Sequence, residues 1–267
     1  MHRSDSPEPM LLTVERPAVA TQAAESHAAW VRVCHWLVTF SLLTLAFSGV
    51  EILMVHPRLY WGDAGNDLTP ALLELPISRN YKHGGYEAAT PFFDGGASPV
   101  TANRTYDIFN QNGWGRSLHF LAAWWLVLPG VIYVLTGVFG GHFRAHVWPR
   151  ASELAPRRVW RDVLGHVRLL IPAAAGGPQY GVLQKAAYSL VIFVAAPLMA
   201  ATGLAMSPAV TAAFPILVRV FGGYQSARTI HFAMFVLLLL FVAVHILMVA
   251  LSGFARQVRA MTFGGSR

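Results

Sequence analysis

Arg228–His245 reads RTIHFAMFVLLLLFVAVH, and after its opening arginine no Asp, Glu, Lys or Arg follows until Arg256. The uncharged run from Thr229 to Ala255 is long enough to cross a hydrocarbon core of about 30 Å at about 1.5 Å per residue. Within it His231 and His245 are fourteen residues apart. At about 100° per residue that spacing brings them to within about 40° of one face and about 21 Å apart along the axis. Ionisable side chains at such depth are costly in hydrocarbon and mark functional sites. One helix therefore presents two ligand candidates, one towards each membrane surface.

Three further windows share this character: Val33–Val50 with its apolar extension through Ile52 to Val55, Ser117–Phe143, and Ala186 to the Ser207-Pro208 break. The composition agrees, at 55% hydrophobic and 12% charged with mean hydropathy +0.46, where soluble domains are about a quarter charged. A soluble enzyme is excluded, and the expected fold is all-α: an integral four-helix transmembrane bundle with a long outer loop between helices one and two. The helices are expected at about 31–55, 116–141, 183–206 and 229–253. The outer loop is then 56–115, the cytoplasmic loop 142–182, and the tails 1–30 and 256–267, with 31–255 forming the bundle domain.

The net charge of +7 does not point to nucleic acid, because the basic residues collect at the ends of the apolar windows, where they act as topology signals. Arg144, Arg150, Arg157, Arg158, Arg161 and Arg168 crowd the connection between helices two and three, and Arg256, Arg259 and Arg267 follow helix four. Both termini are expected in the cytoplasm, with the lipid bilayer as the first partner. Pro156–Leu170 alternates apolar and arginine faces as a short surface helix would. The outer loop carries nine aromatics between His56 and Trp114, which favours a folded cap with few regular elements over disorder. The first 30 residues lack a basic segment leading into a short apolar core, so no removable signal peptide is expected.

With the termini inside, helix one runs outward and helix two inward. His35 then shares the inner level with His245, and His119 the outer level with His231. Two stacked bis-histidine sites in a helical bundle are an arrangement that holds two b-type haems. With a single cysteine, Cys34, and no CxxCH sequence, any haem is held without covalent attachment.

Arg32, Arg116 and Arg228 each precede a candidate ligand by three residues, which places them on the same helix face. There they can pair with haem propionates, or serve only as snorkelling helix-end markers. Gly49 and Gly137 fall on the faces of His35 and His119 at the opposite haem's level, where a porphyrin edge needs a bare backbone. Ser48 and Thr136 precede them, and Thr202-Gly203 repeats the pattern on helix three; small-residue helix packing is the alternative reading. His142 and His146 are four apart but lack an accompanying carboxylate or cysteine.

RVCHW at helix one, RSLHF at helix two and the fourteen-residue histidine spacing of helix four resemble a family. They are similar to the bacterial di-haem b-type cytochrome subunits, which group the cytochrome b of nickel-iron hydrogenases, the gamma subunit of formate dehydrogenases and the cytochrome b of thiosulfate reductases. The resemblance covers the four helices. It implies a subunit of the bacterial inner membrane that carries electrons between quinone and a periplasmic redox partner, with His35, His119, His231 and His245 as axial ligands. The outer-loop segment HPRLYWGDAGND (56–67) looks most like the thiosulfate-reductase type, which implies a molybdopterin oxidoreductase as partner.

Two histidines per iron leave no coordination position for a substrate, so the expected role is an electron conduit with quinone reacting near the inner pair. One alternative is a self-sufficient quinone oxidoreductase fed by a small periplasmic donor such as superoxide. Another is an ion-binding transporter or anchor without haem.

Overall fold

The computed structural model describes residues 29–66, 69–77, 112–141, 143–167 and 181–264. Residues 1–28 and 265–267 of the two tails, the greater part of the expected cap with Phe92 and Phe93, Arg168 and His142 lie outside the described residues, as does the side chain of His146.

In chain order the elements are α1 (Ala29–Val55), β1 (Arg58–Leu59), β2 (Leu73–Glu74), α2 (Asn112–Phe139), a π-helical turn (Phe143–Val147) and α3 (Pro156–Val167). A third span follows, made of α4 (Val182–Leu190), a π turn (Val191–Ala195) and α5 (Ala196–Ala205). Then come α6 (Pro208–Ala213), α7 (Ile216–Val220), α8 (Tyr224–Leu251) and α9 (Phe254–Phe263).

Four of these stretches are long and apolar enough to cross a membrane: Ala29–Val55, Gly113–Phe139, Val182–Ala205 and Tyr224–Leu251. The all-α membrane bundle read from hydropathy is the observed architecture. Phe40, Trp124, Ile132 and Leu240 are exposed on the spans, as side chains facing lipid must be. α2 and α8 begin four and five residues before the stretches expected at 116 and 229, because Arg116 and Arg228 lie one turn inside their helices instead of marking their starts. α6 and α7 occupy the connection between spans three and four, where no helix was expected; Pro208 starts α6 at its first turn, where a missing N–H costs nothing.

The chain packs as two helix hairpins, α1 with α2 and the third span with α8. One end of the bundle, here the cap end, gathers the C-terminus of α1, the N-termini of α2 and α8, and the β1–β2 hairpin, in which Arg58 pairs with Glu74 and Leu59 with Leu73. The segment after α1 is stitched to the first turn of α8. The Gly62 carbonyl accepts N–H bonds from Gln225 at 2.9 Å and Ser226 at 3.2 Å, satisfying donors that a helix start leaves open. Thr229 Oγ1 donates to the Tyr60 carbonyl at 2.6 Å. The approach is so close that a Cβ on Gly223, itself at φ +119°, would lie 2.4 Å from the Gly62 carbonyl carbon; only glycine fits there.

At the opposite, far end, α3 docks on the start of the third span. Arg157, Trp160 and Arg161 face outward while Val159 and Val163 turn inward, the amphipathic division expected of this segment. Asp162 Oδ2 accepts the Leu183 N–H at 2.8 Å, capping α4 with a carboxylate at its positive end. Lys185, 6% exposed, donates to both carboxylate oxygens of Glu153 at 2.9 and 3.0 Å. An aromatic cluster links the two π turns: Phe143 meets Tyr133 at 5.4 Å and Phe193 at 5.1 Å, and Trp148 meets Phe193 at 5.8 Å.

Candidate haem-binding site

The four histidines of the spans meet in the pairs read from the sequence. His119 of α2 and His231 of α8 lie at the cap end with ring centroids 6.2 Å apart and planes inclined by 60°. His35 of α1 and His245 of α8 lie towards the far end at 6.5 Å and 51°. Two metal–nitrogen bonds of about 2 Å each, with the half-widths of two imidazoles, add up to about 6 Å. At that separation each pair could hold one ion between its two rings.

In the cap-side pair the tautomers are fixed. Ser48 Oγ donates its one proton to the Thr44 carbonyl at 2.7 Å, so at 3.0 Å from His119 Nδ1 it accepts. Thr202 Oγ1 donates to the Leu198 carbonyl at 2.7 Å and accepts from His231 Nδ1 at 3.0 Å, while the Met199 carbonyl accepts from the same nitrogen at 3.1 Å. Both imidazoles thus carry their proton on Nδ1 and present a bare Nε2, the form that coordinates a metal.

The glycines beside these hydroxyls complete the device. A Cβ on Gly49 would stand 3.5 Å from His119 Cε1, and one on Gly203 would stand 3.4 Å from His231 Cε1. The serine-glycine and threonine-glycine pairs thus grip one histidine each, and at His231 the Met199 carbonyl joins them. Gly49 lies at the level of the cap-side pair, as its spacing indicated. At Gly137 the space is filled by Phe143, whose Cζ would lie 2.4 Å from an added Cβ, and Thr136 turns its hydroxyl back to the Ile132 carbonyl at 2.8 Å. This third pair accommodates the aromatic cluster and holds no histidine.

The far-side pair is walled by rings. His245 stacks on Phe241 at 6.1 Å and 16°, Phe241 meets Tyr188 at 6.0 Å, and His35 stands edge-on to Trp36 at 5.4 Å. Arg32 is half-buried one turn before His35.

The arginines at the cap end divide their tasks. Arg228 donates to the carbonyls of Arg58, at 2.9 Å, and His56, and to Gln225 Oε1 at 3.3 Å, so it fastens the segment after α1 onto α8. Arg116 is exposed at the start of α2, with its guanidinium carbon 6.0 Å from the centre of the Phe120 ring. Burial, with Arg228, Arg116 and Arg58 nearby, holds the His56 imidazole below its ordinary pKa. That neighbourhood of guanidinium groups beside the cap-side pair suits anionic substituents.

Sequence reasoning passed over three features. Ser48 and Thr202 were noticed only as neighbours of glycines, and the signal that unites them is the hydroxyl-glycine pair repeated in the first helix of each hairpin. Glu51, 1% exposed, served only as the edge of an uncharged window, yet it lies inside α1. Gly115 makes room for it, since a Cβ there would be 3.3 Å from the Glu51 Cβ.

The chain is 29% identical over 227 residues to a candidate protein-methionine-sulfoxide reductase subunit, YedZ1, of Azospira oryzae (strain ATCC BAA-33 / DSM 13638 / PS). The aligned region covers 84% of this chain and 90% of that protein. No solved structure matches the chain. The model of the prokaryotic cytochrome b561 family matches residues 26–264, from just before α1 to the end of α9. With four apolar spans and that match, the chain belongs to the prokaryotic cytochrome b561 family and is a multi-pass bacterial membrane subunit that holds haem b and transfers electrons.

Proposed function

We propose that this chain binds two haem b groups, one between His119 and His231 and one between His35 and His245, and carries electrons between quinone in the membrane and a redox subunit docked at the cap end. The observation that carries this reading is the pair of separations, 6.2 and 6.5 Å, in a bundle whose spacing along α8 puts the pairs near opposite membrane surfaces. Bound haem iron supplies one-electron exchange, and with two histidines to each iron no position remains for a substrate.

The protein's own groups supply the rest. Ser48 and Thr202 orient the cap-side ligands, while Phe241 and Trp36 wall the far-side ligands away from water. Arg32 and Arg116 offer their guanidinium groups to propionates; Arg228 contributes charge there while its bonds hold the segment after α1. Basic connections at the far end favour the orientation with both termini in the cytoplasm, which turns the cap end to the periplasm. The partner is then a periplasmic oxidoreductase. The sequence resemblance favours a molybdopterin enzyme, and the name of the Azospira relative points to one that acts on methionine sulfoxide.

The test is a pyridine haemochrome assay and a reduced-minus-oxidised spectrum on the purified full chain. Two haem b per chain are expected. One haem, or none after expression with ample haem supply, overturns the assignment.

A further inference from the structure

A cleft of about 220 Å³ lies between α1 and α2. Its walls include Phe40, Ser41 and Thr44 from α1 and Leu118, Ala122 and Trp125 from α2. Phe40 and Trp125 are 64% and 57% exposed, so in a bilayer the cleft opens sideways to lipid between aromatic walls. It is smaller than the roughly 300–1,000 Å³ of pockets that enclose a whole drug-sized ligand. That size suits the head group of an amphiphile whose tail stays in the hydrocarbon.

Ser41 distinguishes this cleft from a simple groove for an acyl chain. The other hydroxyls of α1 are satisfied by their own helix: Thr39 donates to the His35 carbonyl, Thr44 to Phe40 and Ser48 to Thr44, at 2.7 to 2.8 Å. Ser41 is 6% exposed, lines the cleft, and makes no hydrogen bond among the described residues. Its hydroxyl is left with an unspent donor at the cleft, and an acyl chain cannot accept it. A ring carbonyl can. The cleft also adjoins the cap-side pair, because Leu118 precedes His119 and the Thr44 carbonyl accepts the hydroxyl of Ser48, which in turn accepts from His119.

Resting on the quinone reading above, we propose that this cleft seats the quinone head group, with the Ser41 hydroxyl donating to a ring carbonyl and Phe40 and Trp125 flanking the ring. The site then lies between the middle of the membrane and the level of the cap-side pair, whereas the sequence alone suggested the far-side pair.

The test uses the haem-loaded full chain in detergent. An azido-quinone photolabel should attach to the peptides containing residues 37–44 and 118–125, and excess decylubiquinone should block it. In a stopped-flow assay with decylubiquinol, or in parallel 2,3-dimethyl-1,4-naphthoquinol, each quinol gives two electrons, one to each of two ferric haems, and two protons to solvent. Ala122→Phe, which fills the cleft, should abolish labelling and quinol-driven reduction while dithionite still reduces both haems. Ser41→Ala should raise the quinol KM about fivefold, the loss of one hydrogen bond, with both haem spectra unchanged. Labelling elsewhere, such as beside His245, or wild-type KM and rates in both variants, overturns the site and leaves the electron-carrier reading intact. Failure of the wild-type chain to be labelled or reduced by either quinol overturns the quinone reading itself, and this site with it.

Discussion

The cap-side and far-side histidine pairs are nearly equal in separation and unlike in support. The cap-side rings each rest on a hydroxyl and the glycine immediately after it, supplied by α1 for His119 and by the third span for His231, where the Met199 carbonyl also accepts. His119 and His231 also occupy the same place in their helices, seven residues after the first residue of α2 and of α8. The far-side pair shows no such repetition: it joins the first helix of one hairpin to the second helix of the other, against aromatic rings. Each hairpin fixes one cap-side histidine by the same local device, whereas the far-side pair depends on how the two hairpins dock. The orientation of the histidines is thus built into the hairpins at one end and into the bundle at the other.

The largest effect that tests this contrast is the loss of a ligand. His119→Leu or His231→Leu should leave one haem per chain with the far-side spectrum and potential unchanged, and His35→Leu should leave the cap-side haem. Haemochrome stoichiometry with a redox titration checks it. Loss of both haems from either replacement would show that the pairs are not separate sites.

A smaller effect comes from the hydroxyls. Ser48→Val and Thr202→Val remove an acceptor from Nδ1–H, and loss of such outer partners lowers metal affinity by about 10–100-fold in general. At His231 the Met199 carbonyl remains, so for Thr202→Val the effect should sit near the lower end of that range. It should come with a raised cap-side potential, since a less polarised imidazole stabilises ferric iron less. Thr136→Val, at a hydroxyl bonded only within its helix, should change neither haem. Equal changes from all three would reduce the hydroxyl-glycine device to ordinary helix packing.

How much of this was legible in the sequence follows the same contrast. The spans and the histidine levels could be read because hydropathy and helical rise are regular along a chain. The tautomer locks could not, because Ser48, Thr136 and Thr202 each precede a glycine and each bonds back to its own helix; only the facing helix decides which of them meets a histidine and which glycine receives Phe143. β1 and β2, two residues each, are too short for any alternation to show. Ser41 is one small hydroxyl in an apolar run, and what sets it apart is the cleft across from it. Arg228 could be read as a charge at a helix start, but not as the clamp on the carbonyls of His56 and Arg58, which come from a segment some 170 residues earlier.

The smallest effect separates the two ends of the bundle by pH. At the cap end, burial first and then Arg228, Arg116 and Arg58 hold His56 below its ordinary value of 6.5. The unfolded segment therefore binds a proton that the folded one refuses, and this end should lose stability as pH falls below about 6.5. At the far end, the hydrogen bond from Lys185 first, then the Arg150 N–H, hold Glu153 below its ordinary value of 4.5. Its contribution is complete above that value and is lost only as pH falls below it. Hydrogen exchange, corrected for intrinsic rates, should show protection of the 58–62 segment weakening first on acidification and that of α3 only below about pH 4.5. His56→Gln should remove the first onset and Glu153→Gln the second. A single common onset would mean that the two ends open together and that the contrast between them stops at the histidine ligands.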